Sequence, residues 1–282
     1  MYYEHKLIES FDQTKIRLVL KENGHKEWLI VTHGLGEHSG RHEYFFKIFS
    51  QNFNIVLYDL RGHGKSGGKP GYVESFQHYS LDLRAIIEFL KSSYSMTRYS
   101  LFGHSMGGLI TASFLQNEAK KDLYPSKVFL SSPAVAAPQL MGYFFSNAPK
   151  MFYSLATRLP SLPISGILDL KKLSHDQRVY ESYIADELNH LKIHTKLFME
   201  LLKTSRDVFS RPLRADCPLY CSIGSEDALV NADLVVDYFT KVEKNAQLRV
   251  FQGAYHEIHN EVERFKNDYF IFLRESLTGI TL

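Results

Sequence analysis

Between residues 99 and 116 a short apolar segment, Tyr99-Ser100-Leu101-Phe102, runs through Gly103-His104-Ser105-Met106-Gly107 into a stretch of helical character. A strand that becomes a helix across G-x-S-x-G turns so sharply that large side chains have no room beside the serine. Such a turn holds Ser105 in a strained backbone conformation and lifts its hydroxyl above the strand end. Gly108 keeps the start of the helix close to the turn. The helix N-terminus aims unpaired N–H groups at the same place, where they favour developing negative charge. A bare G-x-S-x-G mostly marks a loop; the strand before it and the helix after it point here to a nucleophile.

Serine is a weak nucleophile until a base takes its proton. The base and its orienting acid are expected at the ends of later strands. Asp227 follows a strand at 217–223 through Gly224-Ser225-Glu226, and His256 follows a strand at 247–251 through Gln252-Gly253-Ala254-Tyr255. Ser105, Asp227 and His256 are therefore the candidate catalytic set. Glu226 and Asp233 are the rival acids, the latter expected in a following helix. His256 and His259 bracket His-Glu-Ile-His, one residue short of the H-E-x-x-H that puts two imidazoles on one helical face, so a zinc site is not expected. Gly64-Lys65-Ser66 invites a phosphate-loop reading, but that pattern needs a glycine where Asp59 stands.

Around this set the chain alternates. Segments 2–9 and 14–20 read as strands, followed by strands at 27–32, 54–58, 99–102 and 127–130. Helices are predicted over 39–51, 76–92 and 106–116. After 213 the pattern resumes with strands at 217–223 and 247–251 and helices at 231–241 and 261–277. Strands alternating with helices predict a mainly parallel sheet covered by helices. The rhythm breaks between 134 and 212, a helix-rich block set into the α/β domain. The expected division is a core of 1–133 and 213–282 with an inserted cap of 134–212.

Charge narrows the function. Lys plus Arg is 33 and Asp plus Glu is 31, a net +2, whereas polyanion binders carry a marked basic excess; nucleic acid is not an expected partner. Cys217 and Cys221 on one strand lie roughly 13 Å apart, too far to bridge. That suits a reducing compartment. No basic segment followed by an apolar run opens the chain, and no long apolar stretch predicts a transmembrane helix. A cytoplasmic location is the expectation.

The chain resembles the α/β-hydrolases, and more narrowly the monoacylglycerol lipase and lysophospholipase group with its S33-like relatives. The carrying segments are His33-Gly34-Leu35-Gly36-Glu37-His38-Ser39-Gly40-Arg41, Asp59-Leu60-Arg61-Gly62-His63-Gly64-Lys65-Ser66, Gly103 to Gly108, Gly224-Ser225-Glu226-Asp227 and Ala254 to Glu261. The resemblance implies an eight-stranded, mainly parallel sheet. It implies an oxyanion hole from the backbone N–H groups of Leu35 and Met106. It maps the glycerol-side contacts onto Glu37, Arg41 and His259, where the alternative is a salt bridge that pins the loop. Leu173-Ser174-His175-Asp176 and Tyr183 to Leu188 resemble the family's cap, with Glu187 in place of the usual proline. Tyr183 either reaches the substrate headgroup or packs the cap.

The implied chemistry is acyl transfer to Ser105 and hydrolysis, with no metal and no organic cofactor. The first half of the cap is crowded with large apolar residues, Tyr143, Phe144, Phe145, Phe152, Tyr153 and Leu162 among them. A small cap cannot bury them all, so the surplus is expected to line an acyl tunnel or to make peripheral contact with a membrane surface, flanked by Lys150 and Arg158. The expected substrate is an ester of a single-chain lipid, monoacylglycerol before lysophospholipid. The competing readings are an S33-type peptidase and a non-catalytic hydrolase-fold binding module.

Overall fold

The computed structural model describes residues 3–119, 124–135, 156–157, 161–213 and 215–280. The cap aromatics between 143 and 153 named above, with Lys150 and Arg158, lie outside the described residues. Leu162 is described and is 63% exposed.

Three strands open the chain, β1 (Glu4–Glu9), β2 (Lys15–Lys21) and β3 (Glu27–Thr32). The single helix expected over 39–51 is instead a 3-10 turn, Ser39–His42, followed by the short helix α1 (Tyr44–Phe49). The first turn closes on tighter bonds three residues back, Arg41 N–H to the His38 carbonyl at 3.2 Å and Glu43 N–H to the Gly40 carbonyl at 3.3 Å. The His38 ring accepts from Gly40 N–H, and the Asp59 carboxylate accepts from Ser39 N–H at 2.9 Å. Only α1 then follows the hydrophobic pattern, burying Phe45, Phe46 and Phe49.

The alternating region continues with β4 (Asn54–Tyr58), α2 (Gln77–Tyr94), β5 (Arg98–His104), α3 (Met106–Asn117) and β6 (Lys127–Ser131). Buried Tyr79, Leu83, Ile86, Ile87 and Leu90 recur three or four apart on α2, the face that meets the sheet. Ser95 ends α2 in a left-handed conformation, its N–H on the Leu90 carbonyl.

Residues 161–213 are not wholly helical. β7 (Pro163–Ser165) pairs antiparallel with β8 (Lys192–His194), and between and after them come α4 (Gln177–Ala185) and α5 (Thr195–Val208). Strands this short carry too few residues for a period of two to show. The chain closes with β9 (Leu219–Gly224), α6 (Ala232–Asp237), β10 (Gln247–Phe251) and α7 (Glu263–Thr278).

The main sheet has eight strands in the order β1-β2-β4-β3-β5-β6-β9-β10. β1 and β2 pair antiparallel, as do β2 and β4; from β4 to β10 every neighbour is parallel. Both faces are covered. Trp28 and Ile30 of β3 join the core under α2, α3 and α5, while Leu29 and Val31 join the one under α1 and α7. A strand buried on both sides reads as a continuous apolar run for this reason. Ile193, Leu197 and Leu202 pack into the first of these cores.

Sheet order reverses at β3, which has β4 on one side and β5 on the other. Ligands bind beyond the carboxyl ends of strands at such a switch point. Thr32 is in register with Gly103, His104 with Ser131, and Gly224 with Phe251. The segments after β3, β5, β9 and β10 therefore emerge along one edge.

Candidate active site

Ser105 has φ 53° and ψ −117°, outside the helical and extended regions. A non-glycine residue there costs on the order of 1–3 kcal/mol and persists only where the surroundings impose it. The surroundings do. Ser105 N–H donates to the Ser131 carbonyl at 2.9 Å, and Gly108 and Leu109 N–H groups donate to the Ser105 carbonyl. A Cβ on Gly107 would collide with the backbone carbonyls of Thr32 and His33, and one on Gly103 with the Gly107 carbonyl. The small residues of the motif let α3 start against β3. Met106 is the first residue of that helix.

Asp227 lies in the loop after β9 and is 2% exposed; Glu226 beside it faces outward. The exposed Asp233 sits in the first turn of α6. Asp227 Oδ1 accepts from the N–H groups of Leu229 and Val230 at 2.8 and 3.0 Å. Its Oδ2 lies 2.6 Å from Nδ1 of His256. Ser132 Oγ donates to the His256 carbonyl at 2.9 Å, tying the loop after β10 to the end of β6. Burial of His256 opposes its charged form. The Asp227 carboxylate and its hydrogen bond, with Glu257 and Glu37 further off, outweigh burial and hold the imidazole above the ordinary histidine value. Ser105, His256, Leu35 and Met106 line one cavity.

Glu37 and Tyr183 line the same cavity, as does Glu257, whose place no sequence signal distinguished from its neighbours. Glu37 Oε1 accepts from Gly34 N–H at 2.5 Å and lies 3.1 Å from His42 Nε2. Its Oε2 accepts from Arg41 Nε at 3.1 Å. Arg41 Nη2 donates to both oxygens of Glu257, and its guanidinium lies 4.7 Å over the Tyr183 ring. Although burial raises it, the Glu37 carboxyl stays well below the usual range because His42, Arg41 and His104 surround it. Arg41 thus cross-links two carboxylates that line the cavity. His259 is fully buried behind them, its ring 4.9 Å from His104 and 5.2 Å from His42, and neither ring nitrogen has a hydrogen-bond partner. Burial and the neighbouring His104 and His42 push it far below the ordinary histidine value.

A second contact set joins the block 161–213 to the His256 loop. Glu257 N–H donates to the Leu173 carbonyl at 2.7 Å, and Ser174 Oγ donates to the Asn260 carbonyl at 3.0 Å. His175 Nδ1 lies 2.8 Å from Glu261 Oε1, and its ring stacks on Tyr255 at 3.7 Å. Among the described residues no group of three or more His, Cys, Asp or Glu side chains has the arrangement of a metal site, and no helix is long and apolar enough to cross a membrane.

The family model described as serine aminopeptidase, S33, matches residues 23–263. An abhydrolase domain-containing protein of Dictyostelium discoideum is 29% identical over 82% of this chain, which spans 24% of that relative's length. Phospholipase YtpA of Bacillus subtilis is 28% identical over 84% of this chain and 90% of its own. The crystal structure of a monoacylglycerol lipase from Paleococcus ferrophilus superposes with a TM-score of 0.77 at 28% identity, covering 99% of each chain. The strained serine at the end of β5, the switch-point sheet and these matches agree: the chain belongs to the serine aminopeptidase S33 family of α/β-hydrolases and is a serine ester hydrolase.

Proposed function

We propose that the protein hydrolyses esters of single-chain lipids, monoacylglycerol first, through an acyl-enzyme on Ser105. The observation that carries this reading is the mixed lining of the cavity at Ser105. Its lining is apolar at Phe198, Leu201, Leu202, Leu229 and Val230 and polar at Glu37, Tyr183 and Glu257. A hydrocarbon chain suits the first and a polyol the second. The Paleococcus ferrophilus lipase supports the same substrate class.

In this mechanism His256 takes the Ser105 proton as the hydroxyl attacks the ester carbonyl. Asp227 holds Nδ1–H and stabilises the imidazolium that forms. The N–H groups of Leu35 and Met106 receive the oxyanion, each contributing about 3–4 kcal/mol of transition-state stabilisation. His256 protonates the leaving alcohol and then activates the water that frees the fatty acid. Every step uses side chains and backbone of this chain. The block 134–212 serves as the cap, and Glu37, Arg41 and Tyr183 orient the glycerol end.

The Bacillus subtilis phospholipase favours lysophospholipid as a second reading. An aminopeptidase reading would need a free carboxylate for the substrate's ammonium; Glu37 and Glu257 are both engaged by Arg41. The test is a hydrolysis panel of monoacylglycerols, lysophospholipids and aminoacyl amides. Monoacylglycerols of medium or long chain are expected to turn over fastest. Release of N-terminal residues with no ester cleavage would overturn the proposal.

A further inference from the structure

Beyond Tyr183 lies a second cavity of about 250 Å³. It is bounded by the turn at Leu35 and Gly36, by the β7–β8 ribbon and by α4. Leu35, Leu168, Leu170 and Tyr183 line both this cavity and the catalytic one. The two cavities therefore adjoin at these side chains. Gly36 makes the close approach possible: a Cβ there would stand 2.8 Å from Tyr183 Oη and 2.9 Å from the His190 carbonyl.

The lining is mainly aliphatic, with Ile164, Ile167 and Ile193 inside and Ile184 and Leu191 towards solvent, 45% and 49% exposed. Aliphatic side chains left open around a cavity mark a place that apolar matter covers. Direction follows from the chemistry. His256 must hand its proton to the leaving oxygen, so the alcohol half of the ester lies on the His256, Glu257 and Tyr183 side. The apolar lining at Phe198, Leu201 and Leu202 is left for the acyl half. Whatever extends from the alcohol beyond its first carbons runs towards Tyr183 and the second cavity.

We propose that the second cavity is a subsite for a hydrocarbon chain carried by the leaving alcohol. This rests on Ser105, Asp227 and His256 as the catalytic set and goes beyond the glycerol-ester reading. Monoacylglycerol leaves the cavity unfilled, whereas an ester with a hydrocarbon arm on each side of the scissile bond fills it. A second acyl chain on glycerol and a simple long-chain alcohol both supply that arm.

The experiment is a series of octanoate esters of methanol, butanol and octanol, with monooctanoylglycerol and dioctanoylglycerol alongside. In the wild type, kcat/KM is expected to rise with alcohol length, by up to about fourfold per buried methylene. Ile184→Trp and Leu191→Trp, at exposed positions that tolerate bulk, are expected to flatten the rise while methyl octanoate stays within about twofold. A gain from the octyl ester alone names a simple alcohol as the source; a gain from the diacylglycerol names a second acyl chain. No gain from either the octyl ester or the diacylglycerol, or a gain that both variants keep, overturns the subsite. Failure to hydrolyse any of the esters would count against the catalytic reading instead.

Discussion

Asp227 Oδ2 sits 2.6 Å from His256 Nδ1, with both side chains buried. That contact raises the affinity of His256 for its proton, and the base must be neutral to act. Activity is therefore expected to rise with pH along a limb above the ordinary histidine value. Asp227→Asn removes the charge that raises it and misorients the ring. The limb should move to lower pH and kcat should fall on the order of 10⁴-fold. A pH–rate profile of the two proteins checks both; an unmoved limb in the variant would contradict the assignment.

Glu37 binds Gly34 N–H, next to the proposed oxyanion donor Leu35. Glu37→Gln is expected to loosen that turn, lowering kcat about 10–100-fold with KM little changed for an ester that lacks a glycerol group. A KM increase at constant kcat would make Glu37 a substrate contact alone. Steady-state kinetics on a soluble ester separates the two.

The His175 ring clamps the 161–213 block to the loop carrying His256, through Glu261 and Tyr255. His175→Ala should cost about 1–2 kcal/mol of stability and slow turnover. His175→Asn, which keeps a donor, should recover part of both. Chemical denaturation with parallel ester assays reads the effect; full activity in the alanine variant would show the clamp to be irrelevant to His256.

Burial lowers His33 to about 4 and His63 to about 3, and pushes His104 and His259 well below the ordinary value. The unfolded chain takes up these protons below about pH 6.5, while the folded chain resists until far lower. Stability contributed by these groups is thus lost as pH falls from there. His256, shifted the other way, contributes stability that is full below its unfolded value and lost as pH rises through its folded one. His78, His190 and His194 are lowered by burial as well, so unfolding free energy should fall between pH 6.5 and 5 by more than about 1.4 kcal/mol per pH unit. Urea titrations across that range measure it; a flat profile would contradict the buried neutral rings.

Much of this was legible from residue order. Ser105 stands out as a candidate because a sharp turn between strand and helix restricts its neighbours to small residues, and Asp227 and His256 are candidates because each comes after a strand and a short glycine-containing loop. The alternating apolar runs outlined the sheet because strands buried on both faces have no polar side. Other features depend on contacts between distant residues. Nothing local distinguishes Glu257 from its neighbours; its place comes from Arg41 reaching across from another loop. The Asp59 carboxylate that accepts from Ser39 N–H comes from a loop twenty residues further on. β7 finds its partner only when the chain returns at β8.

The most direct measurement is acid quenching of the enzyme mixed with a monoacylglycerol, followed by peptide mass spectrometry. The proposed mechanism predicts the acyl group on the peptide containing Ser105 during turnover, and neither adduct nor fatty acid release in a folded Ser105→Ala protein. Undiminished fatty acid release by Ser105→Ala, or an acyl group carried by a different residue, would contradict it.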